Sequence, residues 1–233
     1  MAAGEGGLDW VVGHPWLRYI ASYTATSNFC TSVLFAIFLL YAVRSLGLSS
    51  IALGATFAVG SAGSITGALL ANRLQRRLGV GPTIVGTAVF GSFGGILYPL
   101  APHSFPLPFL MLGQAIFGLG AVAYNITQVS LRQAITPERL QGRMNAAMRW
   151  IVWGTIPLGT LTGGLIATGT NLRTALWVGA VGQLFAAVPL LLSTVRKIGE
   201  MPAPVEAPTP AQAELEGGLV EGSPLPGPTA ADA

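Results

Sequence analysis

The chain has 233 residues, of which 52% are hydrophobic and only 9% charged, with a formal net charge of +3. Soluble domains carry roughly 25% charged residues, so this chain lacks the charge to cover a water-facing surface, and its mean hydropathy of +0.62 agrees. A soluble fold is excluded, and because the basic residues are scattered between apolar runs they form no single surface for nucleic acid.

Residues 1–17 are glycine-rich and carry two acids, Glu5 and Asp9. They lack the basic start of a signal peptide, and the apolar run that follows is too long for one, so insertion is expected to start from a retained helix. A bilayer core requires ~20 apolar residues per helix. Six stretches qualify, at about 19–43, 51–71, 82–101, 107–130, 146–167 and 172–194, which define a transmembrane bundle over residues 18–197. Residues 80–131 contain no charged side chain, but Pro99, Pro102, Pro106 and Pro108 with His103 among them place a turn there and divide the run into two spans. Cys30, the single cysteine, has no disulfide partner and sits in span 1 as a small hydrophobe. From residue 198 to 233 the composition turns to Pro, Ala, Glu and Gly, a tail expected to be disordered and cytoplasmic.

Orientation follows from the basic residues, which stay on the cytoplasmic side in short loops. One face holds Arg18, Arg73, Arg76, Arg77, Arg132, Arg139, Arg143, Arg149, Arg196 and Lys197, and the other only Arg44 and Arg173. Both termini are therefore expected in the cytoplasm, with the chain in a cell membrane, plasma or inner. Trp16, Tyr19, Trp150 and Trp153 are expected at the inner interface, and Tyr41, Tyr98, Phe105 and Trp177 at the outer one.

Span 2 and span 5 match each other. Gly63-Ser-Ile-Thr-Gly-Ala-Leu-Leu-Ala71 and Gly159-Thr-Leu-Thr-Gly-Gly-Leu-Ile-Ala167 share five of nine residues. Three spans separate the copies, so they cross the membrane in opposite directions, as in an inverted repeat of three plus three helices. Each copy also carries glycines four apart, a spacing that lets helices approach backbone to backbone.

Leu8-Asp-Trp-Val-Val-Gly-His-Pro-Trp-Leu-Arg18, Thr24-Ala-Thr-Ser-Asn-Phe29, Thr136-Pro-Glu-Arg-Leu-Gln-Gly-Arg-Met-Asn-Ala-Ala-Met-Arg149 and Trp153-Gly-Thr-Ile-Pro-Leu-Gly159 together resemble the carboxy-terminal half of major facilitator superfamily exporters, of the enterobactin-exporter and macrolide-efflux type. Ala68-Leu-Leu-Ala-Asn-Arg-Leu-Gln-Arg-Arg77 is similar to a degenerate copy of that superfamily's cytoplasmic loop motif. Asn72 stands where the motif has Asp, and Gln75 where it has Gly. The resemblance implies an all-α membrane fold, half of a twelve-helix transporter. It also implies export of a siderophore or lipophilic drug by alternating access, with a second six-helix half or a second copy as partner and proton coupling through that half. No cofactor or metal is expected.

Polar residues at membrane depth are costly unless they face protein or water. In span 4, Gln114, Gly118, Ala121, Asn125 and Gln128 share one helical face, and in span 1 Thr24, Ser27, Asn28 and Thr31 share another. By resemblance the first and fourth helices of the half line a central cavity, so Thr24, Asn28, Gln114, Asn125 and Gln128 are the candidate pathway residues. Interhelical hydrogen bonds, worth ~0.6 kcal/mol each, account for the same amides equally well. Glu138 is the sole acid in residues 10–199, and with Arg73, Arg76, Arg77, Arg139 and Arg143 it forms a candidate cytoplasmic gate. The plainer reading has Thr136 accept from a free backbone N–H as the cap of a helix that Pro137 starts, with Glu138 a charge at its terminus and the arginines topology signals. Arg149 with Trp150 and Trp153 reads as an interfacial anchor. A truncated remnant that inserts but moves nothing is also compatible with the sequence. An intramembrane enzyme fits less well, since His14 and His103 lie outside the spans and no two acids are close before the tail.

Overall fold

The computed structural model describes residues 7–203. The first six residues and positions 204–233, which include most of the expected tail, lie outside it. In a bilayer every backbone polar group must bond within the protein, which turns uncharged stretches into helices. Eight α-helices form among the described residues: α1 (Gly7–Gly13), α2 (Leu17–Leu40), α3 (Ser50–Leu78), α4 (Val80–Leu100), α5 (Pro106–Ile135), α6 (Glu138–Gly169), α7 (Leu172–Ala186) and α8 (Val188–Leu192). A π-helical turn at Tyr41–Ser45 extends α2, and a 3₁₀ turn at Thr194–Lys197 follows α8. Six of these segments are long and apolar enough to cross a membrane.

Local chemistry sets the joints. Gly47 adopts φ +66° after the π turn, a conformation glycine reaches without steric cost. The Ser49 hydroxyl then caps α3 by accepting from the Ala52 N–H at 3.3 Å. Asn171 caps α7 the same way, through the Thr174 N–H at 2.8 Å. Arg173 donates from Nε to the Pro99 carbonyl at 2.8 Å, filling an acceptor at the end of α4. Pro189 has no N–H to give and crowds the carbonyl four residues back, so the last span breaks between Ala186 and Val188.

Several helices outrun the hydropathy limits. α3 continues to Leu78 and α6 begins at Glu138, where apolar runs alone end at 71 and start at 146. The extra turns carry Arg73, Arg76, Arg77, Arg139 and Arg143. A charge ends an apolar run, but an arginine propagates a helix well and ends none. At the start of α6 the expected cap is replaced. Pro137 occupies the N-cap position, and the Thr136 hydroxyl instead accepts from the Trp10 indole N–H of α1 at 3.4 Å.

The packing obeys a two-fold exchange of the helix triplets α2–α3–α4 and α5–α6–α7. α3 packs on α5 as α6 packs on α2, α4 on α5 as α7 on α2, and α4 meets α7. The glycines of the sequence repeat make the first two equivalent crossings. A Cβ on Gly63 or Gly67 would strike the backbone of Ala115 or Leu119, and one on Gly159 or Gly163 would meet Phe29 or Val33. Backbone contact leaves no room for a side chain at Gly63, Gly67 and Gly159 and little at Gly163. Among the described residues the bundle is thus all-helical and built as a 3+3 inverted repeat.

Two apolar clusters fill it. One gathers Leu17, Ile20, Ile84, Leu131, Met144 and Leu190 toward the arginine-rich end, the other Leu34, Phe38, Leu110 and Leu176 toward the opposite end. Tyr41 and Tyr98 are only 2% and 1% exposed, and Tyr98 packs on Phe38 with ring centroids 4.8 Å apart. Their rings point inward because the bundle has a core of its own at that depth. Trp150 and Trp153, by contrast, are 82% and 65% exposed.

Candidate functional site

A cleft of about 540 Å³ opens between α2, α4, α5, α6 and α7. Glycine and serine on α4 (Gly91, Ser92) and Gly120 on α5 keep its back wall thin, since α4 and α5 touch backbone to backbone there. Thr24, Ser27, Asn28 and Thr31 reach it from α2, and Ala121, Asn125 and Gln128 from α5. Four of the five expected pathway residues, Thr24, Asn28, Asn125 and Gln128, therefore meet in one cavity.

Gln114 does not. It is 4% exposed and lies against α3, where a Cβ added at Gly60 would stand 3.1 Å from its side chain. Gln114 and Gly118 occupy the edge of the span-4 stripe nearest α3, and the small residues of α3 draw the helices together at that level. A helical face is continuous in one helix, but its neighbour changes along its length.

The cleft is wired by side chains that bridge separate helices. The Thr24 hydroxyl donates to the Ile20 carbonyl at 2.7 Å, so its partner at 2.8 Å, the Tyr124 hydroxyl, is the donor of the bond between them. Tyr23 meets the Tyr124 ring edge-on at 4.7 Å. Gln183 of α7 donates to the Ser27 hydroxyl at 2.7 Å and accepts from Thr31 at 3.4 Å. Gln128 donates to Asn125 at 3.1 Å, while its carbonyl oxygen is buried without a partner. Asn28 donates to the Thr24 carbonyl at 2.7 Å.

Sequence reasoning missed Tyr124, Gln183, Asn145 and Arg132 as lining residues. Gln183 carries no periodic signal of its own, because it is a single polar group in an apolar run, and Tyr124 falls beside the stripe of Asn125 and Gln128 rather than on it. Arg132 counted as one topology arginine among ten, yet it is 8% exposed and lines the cleft. Its Nη2 donates to the Asn145 carbonyl oxygen at 3.4 Å, and its Nε has no partner. Arg149 also reaches the cleft, and its guanidinium stands 5.4 Å from the Trp153 ring centroid, a cation–π contact.

The expected gate residues stand at one end of the bundle. Arg73, Arg76 and Arg77 are exposed on the last turns of α3, and Glu138, Arg139 and Arg143 are exposed on the first turns of α6. α3 and α6 are not among the closely packed helix pairs. Among the described residues no ion pair joins Glu138 to these arginines. Arg76 and Arg77 instead border a surface hollow with Glu200, beside the turn where Val80 and Gly81 donate their N–H groups to the Gly199 and Ile198 carbonyls at 3.0 and 2.9 Å.

The Major Facilitator Superfamily model matches residues 20–226. The chain belongs to the Major Facilitator Superfamily. Among solved structures, a mutant of the peptide transporter POT in complex with alafosfalin superposes with a TM-score of 0.61 at 18% identity, over 90% of this chain and 44% of that one. This likeness is one of fold, and the chain spans less than half the length of that transporter. No curated protein gives a significant match. As a superfamily member with six apolar spans, the chain is a multi-pass membrane protein.

Proposed function

We propose that this chain is one six-helix half of a small-molecule exporter, and that the cleft between α2 and α5 is half of its solute route. The observation that carries the reading is the convergence of Thr24, Asn28, Asn125 and Gln128, from two helices equivalent in the repeat, on one cavity. Polar groups are costly at membrane depth, and a water-filled path between two bundles is the setting in which they serve a purpose. In this reading the second bundle, on the same or another polypeptide or a second copy of this chain, covers the cleft and rocks against it about a midplane site. Siderophores or lipophilic drugs, the cargo implied by the resemblance to enterobactin and macrolide exporters, are the proposed substrates. The one acid in the six described spans, Glu138, is exposed on the first turn of α6 and away from the cleft, so proton coupling is assigned to the second bundle. The arginine-rich end is assigned to the cytoplasm, where Glu138 and the arginines of α3 and α6 would close the inner gate in one access state. Gln114, buried against α3, is assigned to helix packing.

Asn125→Leu in an assembled two-bundle transporter tests the reading. It removes a polar group from the exposed lip of the cleft without enlarging the core. Enterobactin efflux is expected to fall about tenfold, the loss of one pathway hydrogen bond, with normal membrane insertion. Unchanged efflux at unchanged expression would remove the cleft from the solute route.

A further inference from the structure

The cleft carries positive charge with nothing to balance it. Arg132 and Arg149 line it, and no Asp or Glu does. The sole acid between residues 10 and 199, Glu138, is exposed at the start of α6. Arg73, Arg76, Arg77, Arg139 and Arg143 are exposed, as arginines that set topology need to be. Arg132 is not: it is 8% exposed. A buried guanidinium is costly unless it is paired and its donors are filled. Here one long bond, 3.4 Å to the neutral Asn145 amide, answers one nitrogen, and the buried Nε answers to nothing.

We infer that Arg132 is an anion-binding residue, and that the cleft takes an amphiphilic solute whose carboxylate completes the Arg132 guanidinium. A carboxylate matches that group because its two oxygens accept parallel bonds from the planar fork, shorter and stronger than bonds to a neutral amide. The rest of the cleft fits the remainder of such a molecule. Phe117, Val152 and Trp153 offer apolar and aromatic surface, while Asn28, Asn125 and Gln128 offer hydrogen bonds. Arg149, held over the Trp153 ring, adds a second cation that draws an anion inward. The inference rests on the cleft being a solute site and adds the charge of the solute.

The test uses the purified full-length chain in neutral maltoside micelles. Dansyl-phenylalanine and its uncharged methyl ester are compared by energy transfer from tryptophan. The wild-type chain is expected to bind the acid about tenfold more tightly than the ester, the effect of one charge-assisted pair. Arg132→Gln should bring the acid down to the ester's affinity and leave the ester unchanged. Arg132→Lys, which keeps the charge but not the fork, should lose part of the preference. If Arg132→Gln does not fold, the wild-type ratio and its reduction in Arg132→Lys decide. Equal affinities for acid and ester in the wild type, an acid preference that survives Arg132→Gln, or no saturable binding of either probe would each overturn the inference. Dihexanoyl-phosphatidylglycerol displacing the acid more effectively than benzoate does would give the site to a lipid headgroup and overturn the solute assignment. Efflux by the assembled transporter separates this inference from the one it rests on. Acid preference through Arg132 without efflux leaves the anion site and removes the transport reading; efflux of acid and ester alike does the reverse.

Discussion

Tyr124 and Thr24 tie together two helices, α2 and α5, that are not among the closely packed pairs of the bundle. The cleft exists because these helices meet through side chains and not through backbone. Tyr124 and Gln183 hold their places by hydrogen bonds to α2, so the cavity wall is ordered before any solute arrives. His14 plays a comparable part at the entry to α2. Its Nδ1 accepts the Trp16 N–H at 3.2 Å, and its ring lies 6.0 Å from Trp10 and 5.6 Å from Trp16. Burial lowers its pKa below the ordinary 6.5. The folded state therefore favours the neutral ring. The stabilisation is present above pH 6.5 and is lost as the pH falls through the lowered value. Acidification is expected to protonate Nδ1, break the bond to Trp16 and change tryptophan emission, and His14→Leu should abolish that transition. An unaltered titration in His14→Leu would assign it elsewhere.

Among the helices, glycine placement separates packing from mere small-residue composition. Gly159 and Gly164 are both in α6, and both read as part of a glycine-rich run. A Cβ on Gly159 would run into the Phe29 carbonyl of α2, whereas a Cβ on Gly164 meets nothing within 4 Å. Gly159→Ala is expected to push α6 off α2 and cost about 1–3 kcal/mol, as overpacking does. Gly164→Ala should be neutral or stabilise by up to about 1 kcal/mol through helix propensity. Thermal melting of the two variants in detergent compares them directly, and equal melting temperatures would refute the assigned crossing. The repeat in sequence and the repeat in packing thus coincide at the four glycines that touch a neighbour's backbone. The helix ends were less legible. Hydropathy located every span, but the arginines that close an apolar run did not close the helices, and Thr136 serves Trp10 where a cap was expected.

The assembled molecule presents α3 and α6 as its least enclosed spans, with 17% and 11% of their apolar windows buried, against 61% for α4. Ile65, Leu69, Leu161 and Leu165 stand out from them at 62–70% exposure. These two helices flank the cleft through α5 and α2, the helices on which they pack, and they offer apolar rims on either side of a polar opening. A second bundle seated there would cover the polar cleft and part of both rims. Native mass spectrometry of the chain extracted with its membrane partners is expected to give a complex of two six-helix bundles. A strict monomer that nevertheless exports would refute the two-bundle arrangement.

Residue order alone decided that the chain enters a membrane, that it crosses in six helices, and that spans 2 and 5 correspond. These follow from local quantities: how much apolar length lies between charges, and which residues recur at helical spacing. Tertiary packing decided which polar groups share a cavity. Asn125 and Gln114 lie on the same face of α5, yet one opens to the cleft and the other is closed over by α3. Arg132 reads in sequence like any arginine at the inner edge of a span, and only the tertiary structure buries it and brings Asn145 of α6 beside it. Periodicity fixes the direction of a side chain about its own helix axis; what it meets there depends on how far away, and at what angle, another helix crosses.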